Sequence, residues 1–298
     1  MKVSILGRSN SILSIASALC QADVVAEVML VEDKSGISCD VLRDLRTSIA
    51  MAGGDTRLLS SKETSALSGS EIIVLLPHSS PTGLRSISVQ HSLNFSLVRN
   101  FAQSIKQYAP TAKVVVAMQP AASLAFLVYS ELRADFGQVI GLSGGLANAY
   151  LKAHIADQLG VSVQDVTTLV IGNDELIYPL PQYCRVSGIP LEQLLDAKQI
   201  DELTVAANDW HKRSVNADMT YSLSVWISQI VTAIALDKKR IMSVSSLIRA
   251  RESEVYLTAP TKIGRNGAEE ILQLELTDVQ REQFTQLVAK SVAEQRSF

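Results

Sequence analysis

The chain has 298 residues, 47% of them hydrophobic, and a formal net charge of -3. This composition supports a sizeable core and excludes a disordered chain, and the charge leaves no basic footprint for nucleic acid. No apolar run approaches the roughly 20 residues of a membrane span, and the opening MKVSILG is too short for a signal peptide. Three widely spaced cysteines form neither a disulfide framework nor a metal pair. We expect a cytoplasmic protein without a nucleic-acid, membrane or metal partner.

Short apolar runs alternate with longer helical patterns in the first half of the chain. The runs cover residues 3–6, 25–31, 72–76 and 114–118, and helical spacing occupies residues 11–21 and 89–108. Short runs that are rich in Val and Ile and apolar on both sides are typical of buried strands in a parallel sheet. Their alternation with helices predicts a doubly wound α/β sheet over residues 1–141.

The second half mixes helical and strand-like patterns. Helical patterns cover residues 146–159, 191–194, 198–205, 222–236 and 277–296, and strand-like runs cover 166–171, 254–258 and 273–276. The pattern changes near residues 141–145, which predicts a domain boundary there. We therefore expect a second, mixed α/β domain over residues 142–298.

Eight short fragments occur in an order and spacing that together are specific, although each is weak alone. They are VIG at 139–141, LGVSVQDV at 159–166, LVIG at 169–172, PLPQY at 179–183, SGIPL at 187–191, DKKR at 237–240, IGRNG at 263–267 and LELT at 274–277. In this arrangement the chain resembles the lactate/malate dehydrogenase family along nearly its whole length. The resemblance implies a Rossmann-type doubly wound parallel sheet, followed by the mixed α/β C-terminal domain of that family.

The resemblance also implies a chemistry whose residues are missing here. In the family, hydride passes between NAD and a 2-hydroxy acid, a His carries the proton, an Asp orients that His, and an Arg binds the substrate carboxylate. The segment that should carry the His is GNDEL at 172–176, which is one residue shorter and has no His. Ala147 aligns with the Asp and Tyr150 with the Arg. Because such groups act as a unit, the three losses together predict loss of the family's activity.

Substitute residues are available for an active alternative. Asp174 or Glu175 could carry a proton only with a raised pKa, since a carboxyl ordinarily titrates near pH 4. His78 lies in the loop 77–88, which corresponds to the family's mobile loop, and Arg85 is the best match there for the Arg that polarises the carbonyl. A solvated loop Arg is an equally good interpretation of Arg85. Together with Arg85, Tyr150 and Lys152 are candidate substrate anchors.

The Gly-rich cofactor fingerprint is altered. Gly7, Ser9 and Ile12 occupy the three positions of the G-x-G-x-x-G motif, so only the glycine of the tight turn remains. Glu32 supplies the acidic residue expected about 20 residues further on for the ribose. Gln119, before a proline, replaces the family's Asn. The resemblance implies NAD as cofactor, and the altered loop argues against its binding.

Three hypotheses follow. The first is a catalytically inactive member of the family with a structural, regulatory or metabolite-binding role, present as a homo-oligomer (dimer or tetramer) or as a hetero-oligomer with an active paralogue. The apolar helix over 222–236 is the candidate interface. The second is an active NAD-dependent oxidoreductase on a 2-hydroxy or 2-oxo acid that uses substitute residues. The third is a non-redox protein that binds another anion in the old cleft.

Overall fold

The computed structural model describes residues 1–7, 11–32, 37–76, 87–214, 219–250 and 253–296. Among these residues, the strands form one eleven-stranded sheet and one three-stranded sheet. Alternate residues of the buried strands belong to two different apolar clusters, one on each face of the larger sheet. In this described part of the chain, no helix combines the length and apolar character needed to cross a bilayer.

The first half alternates strands and helices. The strands are β1 (Lys2–Leu6), β2 (Glu27–Val31), β3 (Arg57–Ser61), β4 (Ile72–Leu75), β5 (Lys113–Val116) and β6 (Val139–Gly141), and the helices are α1 (Ile12–Ala22), α2 (Cys39–Met51), α3 (Ile87–Tyr108) and α4 (Ala121–Leu132). The six strands are parallel in the order β3-β2-β1-β4-β5-β6. This order confirms the doubly wound sheet, in which helices cover both faces.

The second half is mixed. Its helices are α5 (Gly145–Leu159), α6 (Ala197–Ser214), α7 (Thr220–Ala235) and α8 (Asp278–Gln295), and its strands are β7 (Val166–Thr167), β8 (Val170–Gly172), β9 (Ile177–Pro179), β10 (Arg185–Val186), β11 (Ile189–Pro190), β12 (Arg240–Ala250), β13 (Ser253–Gly264) and β14 (Gly267–Ile271). Antiparallel pairing of β12 with β6 and β13 extends the larger sheet, and β10 pairs with β7 and β11 apart from it. The predicted mixed α/β architecture is therefore confirmed.

Several predicted elements need correction. The strand predicted at 273–276 is wrong, because this segment bonds through Glu275 to the hydroxyl of Tyr183 rather than to a neighbouring strand. The run 166–171 is two separate strands, β7 and β8, and the helix predicted at 191–194 is only a three-residue 3-10 turn. Strands β3 and β12 and helix α2 were not predicted, since polar residues interrupt their apolar runs, none of which is longer than three residues.

Helix α7 lies against α1 in the first half of the chain. The hydroxyl of Ser228 donates to the carbonyl oxygen of Ala18 at 3.3 Å, and the Ser11 and Thr220 hydroxyls are 3.0 Å apart. The buried side chains of its inner face include Ile227, Ile230, Val231 and Ile234. Tyr221 and Val225 on its outer face are 85% and 54% exposed. The predicted apolar helix is therefore buried on one side and keeps an exposed apolar side.

Candidate functional site

The turn between β8 and β9 carries the residues that align with the family's catalytic segment. Its central residue, Asn173, is 3% exposed. The Asn173 Oδ1 atom accepts hydrogen bonds from the backbone N–H groups of Glu175 and Leu176, each at 2.9 Å. Its Nδ2 atom donates to the hydroxyl of Ser291 on α8 at 3.0 Å. Both ends of the amide are used to hold the turn, and an amide cannot serve as an acid or base at neutral pH.

Asp174 connects this turn to the N-terminus of α4. Its Oδ1 atom accepts from the backbone N–H of Ala122 at 2.9 Å, and its Oδ2 atom accepts from that of Ser123 at 3.1 Å. A carboxylate is stabilised there by the unpaired amides and the positive end of the helix dipole. Burial nevertheless raises the pKa of Asp174 to about 6, and the α4 amides counteract only part of this effect. A carboxyl group that titrates near neutrality is a candidate proton carrier.

The third polar residue of the turn is oriented differently. Glu175 is exposed and forms an ion pair with Lys290 of α8. An exposed carboxylate that is paired with a lysine forms an ordinary surface ion pair. Between the two predicted acids, the structure therefore favours Asp174 over Glu175 as the candidate proton carrier.

The two α5 residues aligned with the family's Asp and Arg lie beside α6. Ala147 is fully buried and has no polar group. The ring of Tyr150 is stacked between two others, with ring centroids 5.0 Å from Trp210 on α6 and 5.7 Å from His154. A tyrosine held in a stack cannot reproduce the charged, bidentate grip that a guanidinium gives a carboxylate.

A histidine from α6 reaches the turn at 172–176. The Nε2 atom of His211 is 3.2 Å from the carbonyl oxygens of both Asn173 and Asp174. Both oxygens can only accept, so the Nε2–H tautomer donates to them. His211 is 3% exposed, and burial lowers its pKa. No sequence signal brings His211 to Asn173, which is 38 positions away.

Three residues of the proposed dinucleotide site, Gly7, Ile12 and Glu32, lie within the described ranges. Gly7 has φ +130°, and a Cβ atom there would lie 2.1 Å from the carbonyl oxygen of Leu76. Ile12 is the first residue of α1 and is buried at 4% exposure in the core, so its branched side chain packs inward. Glu32 follows β2 and is 8% exposed. The described residues at this edge fit a dinucleotide, since a helix N-terminus and an acidic side chain are both present.

Gln119 lies at the carboxyl end of β5. Its Oε1 atom accepts from the backbone N–H of Ala121 at 3.2 Å, and its carbonyl oxygen accepts from the Nδ2 atom of Asn94 at 2.8 Å. Gln119 and Asp174 therefore meet at the N-terminus of α4. Ser9, His78 and Arg85 lie outside the described residues. Within the described ranges, no group of three His, Cys, Asp or Glu residues could hold a metal ion.

We expect the Asn173→Ala variant to lose about 2–4 kcal/mol of stability, because the N–H groups of Glu175 and Leu176 and the hydroxyl of Ser291 lose their partner. Chemical denaturation of the purified variant measures this loss. Glu175→Gln is the matched control in the same turn, and its effect should stay within about 0.5 kcal/mol. Equal losses in the two variants would show that Asn173 does not hold the turn.

Comparisons with known proteins agree with this fold. The model for "lactate/malate dehydrogenase, alpha/beta C-terminal domain" matches residues 146–294. Malate dehydrogenase of Bacillus subtilis is 29% identical over 301 residues, which cover 96% of this chain and 95% of that protein. The malate dehydrogenase structure from Aeropyrum pernix has a TM-score of 0.90 at 25% identity, with 98% and 96% of the two chains covered. A Cryptosporidium parvum lactate dehydrogenase, solved with lactic acid and nicotinamide adenine dinucleotide, has a TM-score of 0.89 at 22% identity over 99% and 96%.

Proposed function

This chain belongs to the lactate/malate dehydrogenase family, and we propose that it is a catalytically inactive member that keeps the fold to bind a metabolite or a protein partner. One observation carries the proposal. The segment 172–176, which the resemblance matches with that of the family's His, contains no His, and Ala147 and Tyr150 stand where the resemblance implies the Asp and the Arg. Asn173 of this segment holds the turn, Ala147 is buried in the core, and Tyr150 is stacked on Trp210.

The physical argument concerns the transition state. Hydride transfer to or from an alcohol carbon needs a general acid or base positioned at the substrate oxygen. It also needs a cation that holds the substrate carboxylate in place. Asn173 cannot ionise, Ala147 cannot orient a base, and Tyr150 has no positive charge. Trp210 and His211 of α6 contact two of these positions directly. The side chains that surround the family's reaction centre therefore support packing better than catalysis.

The test is an assay of hydride transfer with the purified protein, NAD and malate or lactate, followed by absorbance of NADH. The active Bacillus subtilis relative is the control, because it shows that substrates and conditions are adequate. Absence of turnover, with normal turnover by the control, supports the proposal. Turnover comparable with that of the control would overturn it.

A second candidate is an active NAD-dependent oxidoreductase on a different 2-hydroxy or 2-oxo acid. The observation that favours it is the raised pKa of Asp174, about 6, at the α4 N-terminus beside Gln119. If Asp174 carries the proton, a screen of 2-oxo acids with NADH finds a substrate. Its pH–rate profile then breaks near pH 6, and the break is absent in Asp174→Asn. A profile that is the same in both proteins excludes this role.

Cofactor binding separates the remaining alternatives. The dinucleotide would lie along the N-terminus of α1, with Glu32 near the ribose, and would supply the hydride chemistry when bound. Calorimetric titration with NADH tests this directly. Micromolar binding would show that the edge tolerates Ser9 and Ile12, and it would lead to the screen of 2-oxo acids. No binding at millimolar NADH, combined with thermal stabilisation by another anion, would favour the non-redox ligand-binding hypothesis.

The organisation of the whole protein is also part of the proposal. We place the dinucleotide-type domain at residues 1–141 and the family's C-terminal domain at 142–298, because β6 ends at Gly141 and the parallel order ends with it. The exposed side of α7, with Tyr221 and Val225, supports a homo-oligomer or pairing with an active paralogue. A cytoplasmic location stays a prediction.

A further inference from the structure

We propose that the turn at 172–176 is a joint between three helices that responds to two protons, one on Asp174 that tightens it and one on His211 that loosens it. The inference goes beyond the proposed function, because it holds whether or not the protein turns over a substrate. It concerns a segment that the family resemblance assigns to catalysis and that this chain uses for attachment.

The joint is defined by three attachments within two residues of the turn. Asp174 accepts from the first-turn amides of α4. The side chain of Asn173 donates to Ser291 of α8. His211 of α6 donates to the carbonyl oxygens of Asn173 and Asp174. The turn thus links one helix of the first half of the chain to two helices of the second half, and its release would break all three attachments.

Both titrating groups have neutral partners in the joint. The hydrogen-bond donors to Asp174 are backbone amides and the neutral hydroxyl of Ser123, and the acceptors for His211 are backbone carbonyls. In the described part of the chain, no cationic side chain lies within 4.0 Å of the Asp174 carboxylate. A charge that is buried against neutral dipoles is stabilised less than in water, unless its partners are unusually many. The charged form of either group therefore favours release.

Other charged groups face the joint from each packed element. On α8, Lys290 pairs with Glu175 of the turn and with Glu294. On α6, Lys212 follows His211 and disfavours its protonation. The first turn of α4, with the sequence AASL, carries no charge. The Lys290 pairs are surface pairs, so they contribute little and are not expected to mask the titration of Asp174 or His211.

The Asp174 proton tightens the joint. Burial raises the pKa of Asp174 from 3.8 to about 6. The contribution of Asp174 to the attached turn, in which its hydrogen bonds to α4 are formed, is therefore fully present below pH 3.8. This contribution is lost as the pH rises to about 6. A shift of this size corresponds to at most roughly a hundredfold change in the equilibrium between attached and released turn. Above pH 6 the contribution no longer changes.

The His211 proton has the opposite effect. Burial lowers the pKa of His211 below its ordinary 6.5. The contribution of His211 to the attached turn is therefore complete above pH 6.5 and is lost as the pH falls through the lowered pKa. As the pH falls below 6.5, protonation of His211 weakens the attachment of the turn. Protonation of Asp174 strengthens this attachment over the part of the same range in which Asp174 titrates. The two titrations therefore act in opposite directions in mildly acidic solution, and removing either group should reveal the pH dependence that the other contributes.

The experiment measures the unfolding free energy between pH 4 and 8 for the whole protein and for Asp174→Asn, His211→Gln and the control Glu175→Gln. Differences from the unmutated protein remove the titration of all other groups. From pH 4 to pH 7, we expect the folding constant of Asp174→Asn to rise relative to that of the unmutated protein by up to roughly a hundredfold. For His211→Gln the pH direction is opposite. As the pH falls below 6.5, the folding constant of this variant should rise relative to that of the unmutated protein. Glu175→Gln leaves the contacts of Asp174 and His211 intact, so it should reproduce neither of these two patterns.

A local measurement completes the test. Hydrogen exchange of the amides of Ala122 and Ser123, corrected for intrinsic pH dependence, should follow the same pattern in the variants. The difference between each variant and the unmutated protein must change with pH, and it must change in the stated direction. A difference that is constant across pH in both variants would overturn the proposal. If Asp174→Asn does not fold, carbon NMR of the aspartate carboxyl groups in the unmutated protein replaces it. A midpoint for Asp174 near pH 6 would support the proposal, and one at or below pH 4 would overturn it.

Discussion

Under identical conditions, this protein is expected to reduce NAD with malate or lactate at least about 10⁴-fold more slowly, in kcat/KM, than the Bacillus subtilis malate dehydrogenase. The relative is 29% identical to this chain, so it is a fair control for fold and for assay conditions. The expectation depends on the absence of three groups at once, namely the proton carrier, its orienting acid and the carboxylate-binding Arg.

The magnitude follows from general acid–base catalysis. A positioned acid or base contributes roughly 10²–10⁴ in rate, and loss of the carboxylate anchor removes the orientation on which it depends. Because such groups act together, their losses do not multiply without limit. Asp174 is the group that could offset part of the loss. A rate within about 100-fold of the control would show that it does so, and Asp174→Asn should then abolish that rate.

The fold could be predicted from the sequence wherever buried strands are continuous apolar runs. Strands β1, β4 and β5 and helices α1, α3 and α7 were found because their apolar residues have the period of one element. Helix α2 and strand β3 were missed, since polar residues interrupt the apolar ones in CDVLRDLRTSIAM and RLLSS, and only Leu42 and Ile49 of α2 are buried. Their positions are determined by pairing with β2 and by packing on the sheet, which a local pattern does not report.

The candidate site could be predicted only in part. The absence of the family's His, Asp and Arg follows from the order and spacing of short fragments. Ala147 and Tyr150 lie on the predicted helix, α5, and Asn173 directly follows β8. The role of Asn173 in the turn and the approach of His211 depend on contacts across 118 and 38 positions. Such contacts arise when helices α6 and α8 pack on the turn, so they require the tertiary structure.

Ile12 illustrates the difference between a motif and a structure. Ile12 occupies the third glycine position of the fingerprint, and its branched side chain is part of the altered loop that argues against NAD binding. In the structure, Ile12 begins α1 and is buried among core residues. The Ile12 side chain therefore fills space in the core, and its presence alone does not decide whether a dinucleotide binds at the N-terminus of α1.

The second large effect concerns Gly7, the glycine of the cofactor fingerprint that this chain keeps. We expect Gly7→Ala to lose at least about 4 kcal/mol of stability, with little folded protein recovered. The added Cβ would lie 2.1 Å from the carbonyl oxygen of Leu76, and the φ of +130° is one that side chains rarely adopt. Because Gly7 lies between β1 and β4, relief of this clash requires the two strands to separate.

Gly69→Ala is the matched control, because Gly69 also has a positive φ, +75°, but its Cβ would meet nothing within 4 Å. That variant should lose only about 1 kcal/mol, which denaturant unfolding can measure for both proteins. Similar losses would mean that β1 and β4 adjust easily around Gly7. The expected large difference, found without any cofactor present, would mean that packing alone requires this glycine. Its presence would then carry no information about NAD, and the first fingerprint position could remain unchanged in a chain whose reaction chemistry is lost.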